Sequence, residues 1–293
     1  MTLMFGLSLL ARLPLSVLYR VSDGLFFLMA YLVRYRRGVI RANLQRSFPG
    51  ATEKHIQTLT TGFYRNFCDI IVETVKLPAL RPAEMQRRVL ITNPELVGAY
   101  LNAGQTVLGV GAHQCNWEWV PASVLVRGFA VDSVYKPLSN ATSERLMQHI
   151  RQTFGAHLIP MNRLARELAT RRHRPRLIAL VADQMPNIPS SAYWTTFLHQ
   201  DTPFFPGTER LARSLQLPVV YLDLVRTSRG HYSGTFWLLA APPYTDLPPG
   251  AIIERYRDRL TQTIAHQPAN WLWSHKRWKH KRDRYSRLFT RLD

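Results

Sequence analysis

His113 and Glu118 stand five apart in the segment Gly109-Val110-Gly111-Ala112-His113-Gln114-Cys115-Asn116-Trp117-Glu118, and they are the residues of this chain best suited to chemistry. An imidazole oriented by a carboxylate can take a proton from an attacking alcohol, because the carboxylate fixes the tautomer and stabilises the imidazolium. On one continuous helix, residues five apart diverge by roughly 140° at about 100° per residue, so the pair needs a turn between them. The flanking residues supply it. The Thr106 to Val110 run reads as a strand, His113 falls on the loop after it, and Asn116 caps a helix starting at Trp117, which puts Glu118 in the first turn. Strand-to-helix turns are where α/β folds bind ligands. A His followed at five by a Glu also arises by chance, so the spacing alone leaves a purely structural His113 open. Cys115 adds a second reactive type, since a thiol beside a histidine is a conventional activated nucleophile.

A turn of this kind has to be carried by a sheet, and the sequence around it has α/β grammar. Short β-branched runs alternate with capped helices: Val89 to Ile91, a helix opened by Asn93-Pro94 and stopped near Gly104, then the Thr106 to Val110 strand. Further strands are predicted at Val131 to Tyr135, His157 to Ile159, Leu177 to Ala182, Leu217 to Val225 and Gly234 to Leu239. Helices are predicted after Thr142, from about Asn162, and over Ile252 to Ile264, with a long loop from the end of the Leu177 run to about Pro206. The fold class is α/β, a central mostly parallel or mixed sheet flanked by helices. Upstream, Pro49-Gly50 makes a turn and Thr52 caps an amphipathic helix with Ile56, Leu59, Phe63, Phe67, Ile70 and Ile71 on one stripe.

The 293 residues fit one catalytic domain with terminal additions, and no internal repeat or low-complexity linker divides them. Hydrophobic residues make up 46%, too many for a disordered chain, while 38 Lys+Arg against 19 Asp+Glu give a formal charge of +19. That charge predicts attraction to polyanions: an anionic bilayer, a phosphorylated lipid, an acidic carrier protein or nucleic acid. The two cysteines, Cys68 and Cys115, have no metal-ligand spacing and do not suggest a disulfide framework.

Residues 1–48 read as an N-terminal membrane-associated helical segment and 49–293 as the catalytic domain. The Thr2 to Val33 stretch is apolar but interrupted by Arg12, Arg20 and Asp23 and kinked by Pro14, which favours a helix lying in or dipping through the interface over a clean span. It lacks a basic leader and a small-x-small cleavage site, so it is expected to persist in the mature protein. Arg34, Arg36, Arg37, Arg41 and Arg46 follow where a basic cluster would meet anionic headgroups. A buried hairpin of two core helices is the alternative.

The segment around His113 resembles the HxxxxD/E signature of glycerolipid-type acyltransferases, and more narrowly the HxGNWE form of the lipid A lauroyl/myristoyl acyltransferases. Further blocks match in order: Val134-Tyr135-Lys136-Pro137, Ala182-Asp183-Gln184, Pro203-Phe204-Phe205-Pro206-Gly207, and the run from Trp271 to Lys279, with Arg41-Ala42-Asn43-Leu44 and Phe48-Pro49 upstream. The likeness covers nearly the whole chain. It implies His113 and Glu118 as the catalytic pair, with Asn116, Lys136, Asp183, Gln184, Phe205 and Gly207 binding substrate or organising the site, and a pairing of Asp183 with Lys136. Two positions depart from the pattern: Cys115 stands where Gly is common, and Lys136 where Arg is common.

The resemblance further implies an O-acyltransferase that takes a fatty acyl chain from an acidic acyl carrier protein, or from coenzyme A, to a hydroxyl of a phosphorylated glycolipid. Neither a metal nor a bound organic cofactor is expected. The implied location is the cytoplasmic face of the bacterial inner membrane. Trp194, Phe197, Phe204 and Phe205 read either as an acyl-chain lining or as core aromatics. The run from Lys276 to Arg291, with eight Lys or Arg among Trp278, Tyr285 and Phe289, suits an anionic lipid surface or an acidic carrier, and no nucleic-acid partner is expected. The alternatives are acylation of another glycolipid or a glycerolipid, or a non-enzymatic basic protein of membrane surfaces or nucleic acid.

Overall fold

The computed structural model describes residues 2–282. Four helices come first, α1 (Thr2–Arg12), α2 (Leu15–Phe27), α3 (Arg37–Ser47) and α4 (Glu53–Lys76). Pro14 separates α1 from α2, and α2 ends in a wide π-type turn over Leu28–Leu32. Thr52 caps α4 by accepting from the His55 amide at 3.2 Å, and of the expected stripe only Ile71 faces out. There follow α5 (Pro82–Arg88), β1 (Val89–Ile91), α6 (Glu95–Asn102), β2 (Val107–Gly111), α7 (Val120–Leu125), β3 (Val131–Tyr135) and α8 (Ala141–Gln152). The remainder is β4 (His157–Pro160), α9 (Leu164–Thr170), β5 (Leu177–Val181), β6 (Tyr193–Phe197), β7 (Gln200–Phe204), α10 (Gly207–Leu215), β8 (Val219–Ser228), β9 (His231–Ala240) and α11 (Ala251–His266).

Seven strands form one sheet in the order β1-β9-β8-β2-β5-β3-β4, parallel throughout except for the antiparallel β8–β9 pair. This is the mostly parallel α/β sheet expected. Because β2 and β5 are covered on both faces they read as unbroken apolar runs rather than alternating ones. The β6–β7 hairpin lies where a loop was expected, and its antiparallel register runs from Tyr193 opposite Phe204 to Phe197 opposite Gln200.

The N-terminal helices are not a detached appendage. Leu15 and Leu18 of α2 join the core on one face of the sheet, while Ile40 and Leu44 of α3 are fully buried in the core on the other. Lys76 at the end of α4 donates to the Ala11 and Leu13 carbonyls, both at 2.9 Å, and so satisfies the C-terminus of α1. Much of what α1, α2 and the π-type turn after them leave uncovered is apolar: Leu9, Val17, Val21, Phe27, Leu32 and Val33 are all exposed, alongside Arg12, Arg20 and Asp23. Among the described residues one helix, Leu15–Leu32, is long and apolar enough to cross a membrane.

Candidate active site

The register of the sheet builds the site. Gly111 at the end of β2 is paired with Val181 at the end of β5, so two further residues on each strand bring His113 level with Asp183. The Asp183 carboxylate accepts from the His113 ring Nδ1 at 2.7 Å and from the His113 backbone N–H at 2.9 Å. A third donor, the Trp271 indole Nε1, reaches the same oxygen as the backbone amide at 2.7 Å. Burial opposes the charge on Asp183, but the His113 imidazole and these donors outweigh it and hold the carboxyl below its usual range.

An ionised carboxylate only accepts, so the bond that His113 donates to Asp183 puts the imidazole proton on Nδ1 and leaves a lone pair on Nε2. Gln184 Nε2 lies 3.2 Å from that nitrogen and donates to it. The His113 side chain is about one-fifth exposed, whereas that of Asp183 is 2% exposed. The arrangement is therefore a buried acid, an imidazole in a fixed tautomer, and a basic nitrogen turned toward the accessible side.

The carboxylate beside His113 is thus Asp183, and the expected His113–Glu118 contact is not formed. The turn does exist, and Asn116 does cap it, accepting from the Trp119 amide at 3.1 Å. The helix proper starts three residues later than expected, at Val120, and Glu118 points to α8 instead of folding back. There it accepts from Arg151 Nε at 2.8 Å and Nη2 at 2.6 Å, a two-pronged ion pair, with the Trp117 indole at 3.2 Å. The Trp117 ring stands edge-on to His113, centroids 5.1 Å apart, so Glu118 and Arg151 frame the wall of the site.

The expected Lys136–Asp183 pair is also absent. Both Asp183 oxygens are taken by His113 and Trp271, and the exposed Lys136 ammonium reaches Asn187 Oδ1 at 3.3 Å. Gly207 opens α10 beneath the Phe205 ring: a Cβ there would meet Phe205 Cε1 at 2.1 Å, so only glycine lets the ring lie over the helix start. Phe204, Phe205 and Tyr256 line a mostly apolar cleft whose floor includes Val110 and Ala182, the latter adjoining Asp183. Phe197 is core, edge-on to Phe204 at 5.4 Å and to Trp271 at 6.0 Å. Trp194 is half-buried and donates to the Pro189 carbonyl at 3.0 Å.

Cys115 is fully buried with φ +52°. Burial pushes its thiol up to about 12, and its Sγ donates to the Leu224 carbonyl at 3.3 Å. A thiol so placed is not a nucleophile at neutral pH. Its left-handed backbone is one that glycine adopts more freely than any other residue.

Four contributors went unseen in the sequence. Trp271 belongs to the tryptophan-rich block singled out there, but its role depends on a segment that folds back along the catalytic turn: Leu272 donates to the His113 carbonyl at 3.0 Å and Cys115 to that of Asn270 at 2.9 Å. Asn43 of α3 clamps this segment through the Trp273 and His275 carbonyls at 2.8 and 2.9 Å. Arg151 carries no local motif, and Glu73 of α4 contacts Asn116 at 2.6 Å. Of the basic C-terminal run, residues 283–293, including Tyr285 and Phe289, lie outside the described residues. Among the described residues no group of three or more His, Cys, Asp or Glu is arranged to hold a metal ion.

A family model described as bacterial lipid A biosynthesis acyltransferase matches residues 2–280 of the chain. Among solved structures, the crystal structure of the 1-acyl-sn-glycerophosphate (LPA) acyltransferase PlsC from Thermotoga maritima is similar at a TM-score of 0.39 and 11% identity, covering 87% of this chain and 98% of that one. Comparison with curated proteins gives no match.

Proposed function

This chain belongs to the bacterial lipid A biosynthesis acyltransferases, and from that premise we propose that it moves a fatty acyl group from an acyl carrier protein thioester, or a coenzyme A thioester, to a hydroxyl of a phosphorylated lipid A precursor. The observation that carries the mechanism is the Asp183–His113 pair with Nε2 turned to the accessible side. An alcohol is a weak nucleophile at neutral pH, whereas a thioester is an activated donor, so the protein's main task is proton removal. The acceptor hydroxyl displaces the Gln184 amide from Nε2. As its oxygen attacks the thioester carbonyl, Nε2 takes the hydroxyl proton and Asp183 stabilises the imidazolium. Collapse of the tetrahedral intermediate breaks the C–S bond, and the proton passes from Nε2 to the departing thiolate.

Two further features support the reading. The cleft bordered by Phe204, Phe205, Tyr256 and Ala182, the neighbour of Asp183, is mostly apolar as an acyl chain requires, and with room for little more than a water molecule it would have to widen to take one. The exposed apolar face of α1 and α2 and the arginines beyond it suit the cytoplasmic surface of the inner membrane, although Arg36 and Arg41 also serve the fold, through the Ser274 carbonyl and Glu53 respectively. The test is mass spectrometry of lipid A from cells with and without the gene, complemented by wild-type protein or His113→Ala. A difference of one acyl chain restored by wild type alone is the expected result. An unchanged lipid A with an altered glycerolipid or other glycolipid would reassign the acceptor, and complementation by His113→Ala would refute the base.

A further inference from the structure

Glu73, in the middle of the last turns of α4, is 0% exposed and plays no part in the proton transfer. Burying a carboxylate is costly unless donors converge on it, and three side chains do so from three different parts of the chain. Tyr19 of α2 donates to Oε1 at 2.9 Å. Tyr232 of β9 and Asn116 of the catalytic turn both donate to Oε2 at 2.6 Å. The Glu73 backbone joins in, its carbonyl accepting from the Trp119 indole at 2.9 Å. Since Asn116 Oδ1 is spent on the Trp119 amide, its Nδ2 has to face Glu73. Both ends of the 116–119 turn are therefore held by one residue, three positions after His113.

The Tyr19 contact is built with equal care. Gly230 leaves room for it: a Cβ there would meet the Tyr19 hydroxyl at 2.0 Å. The Arg229 guanidinium lies 4.4 Å over the Tyr19 ring. One turn before Glu73, Asp69 receives Ser22 of α2 at 2.6 Å together with Arg226 and Arg229, each at 2.6 Å. The helix with the exposed apolar face thus docks through polar bonds onto the same stretch of α4 that holds the catalytic turn.

We propose that Glu73 is a positioning residue for the catalytic turn, and that by dividing its carboxylate between Tyr19 and Asn116 it makes the geometry of that turn depend on the seating of α2. The inference rests on the acyl-transfer reading above for its kinetic readout. The bonds around Glu73 allow a polarity exchange. Asn116→Asp sets two carboxylates face to face and should lower kcat by about 100-fold, the scale of a small misplacement near reacting groups, with KM for the thioester little changed. Adding Glu73→Gln to Asn116→Asp reverses donor and acceptor: the new amide donates to the new carboxylate, its oxygen still accepts from Tyr19, and the Tyr232 hydroxyl accepts instead of donating. That double variant should recover to within about tenfold of wild type. Tyr19→Phe, far from the reacting atoms, should lower kcat by about three- to tenfold without moving KM.

The measurement is single-turnover transfer from an acyl carrier thioester, paired with the His113 ring nitrogen resonances of selectively labelled protein. The resonances should shift in Asn116→Asp and return in the double variant. Wild-type activity in Asn116→Asp, or a double variant that neither folds nor turns over better than the single one, overturns the proposal, as does a Tyr19→Phe protein with unchanged kcat and unchanged resonances. If wild-type protein transfers no acyl chain, the acyl-transfer reading fails, and the resonances still decide the role of Glu73.

Discussion

Asp183→Asn is the sharpest probe of the site, because the structure dictates how the new amide must orient. One Asp183 oxygen accepts from two fixed donors, the His113 backbone amide at 2.9 Å and the Trp271 indole at 2.7 Å, while the other meets His113 Nδ1 at 2.7 Å. An asparagine has one oxygen, and satisfying the two fixed donors assigns it to them. Its NH2 then faces Nδ1. Two donors cannot share that contact, so the imidazole proton moves to Nε2 and the base loses its lone pair on the reactive side. The full contribution of positioned base catalysis, about 10²–10⁴ in rate, is then at stake, and the upper half of that range is expected because the wrong tautomer is actively stabilised. Single-turnover transfer from an acyl carrier thioester should fall by about 10³–10⁴, with donor binding preserved and the thermal midpoint checked in parallel. A folded Asp183→Asn protein that transfers within about threefold of wild type would refute the assignment of Asp183 as the orienting acid.

Glu118 and Arg151 act as one unit, so Glu118→Gln and Arg151→Ala should each lower kcat/KM, and the double variant should lose no more than the worse single one; additive losses in that cycle would separate them. Cys115→Gly should retain most activity and change stability by no more than about 1 kcal/mol, since relief of the left-handed backbone offsets the lost thiol packing; an acyl group trapped on Cys115 in wild-type protein would contradict the mechanism. Replacing Val17, Val21, Phe27 and Leu32 together by Ser should leave the fold intact, because all four are exposed, and should release the protein from anionic liposomes in a flotation assay. Unchanged flotation would move the membrane contact elsewhere.

Local chemistry was legible in the sequence and strand adjacency was not. Each strand that flanks the site is a short apolar run with turn residues behind it, and both His113 and Asp183 were placed at strand ends. Their partnership depends on β2 lying beside β5, a neighbour 70 residues away, whereas local spacing pointed His113 to Glu118 and the family resemblance pointed Asp183 to Lys136. The β6–β7 hairpin escaped for a local reason. Its two-residue turn, Leu198-His199, has φ of +47° and +64°, a geometry normally announced by Asn-Gly or Asp-Gly. Glu73 escaped because an acid on an amphipathic helix reads as a solvated position; only the approach of Tyr19, Tyr232 and Asn116 from remote segments makes it a buried one.

The clamp of Asn43 on the Trp273 carbonyl joins positions 230 residues apart, and that has a consequence for biogenesis. At about 5–20 residues per second of synthesis, α1 to α3 emerge on the order of 10 seconds or more before the segment that closes over them and over His113. During that interval α4, the helix that α1 to α3 pack against, has already emerged, whereas the segment from Trp271 onward that covers α3 and the catalytic turn has not. The four N-terminal helices can therefore assemble before the catalytic turn is closed. A ribosome-bound chain stalled before Trp271 is expected to hold its N-terminal helices formed yet to be inactive, because the Trp271 and Leu272 contacts to Asp183 and His113 are still missing.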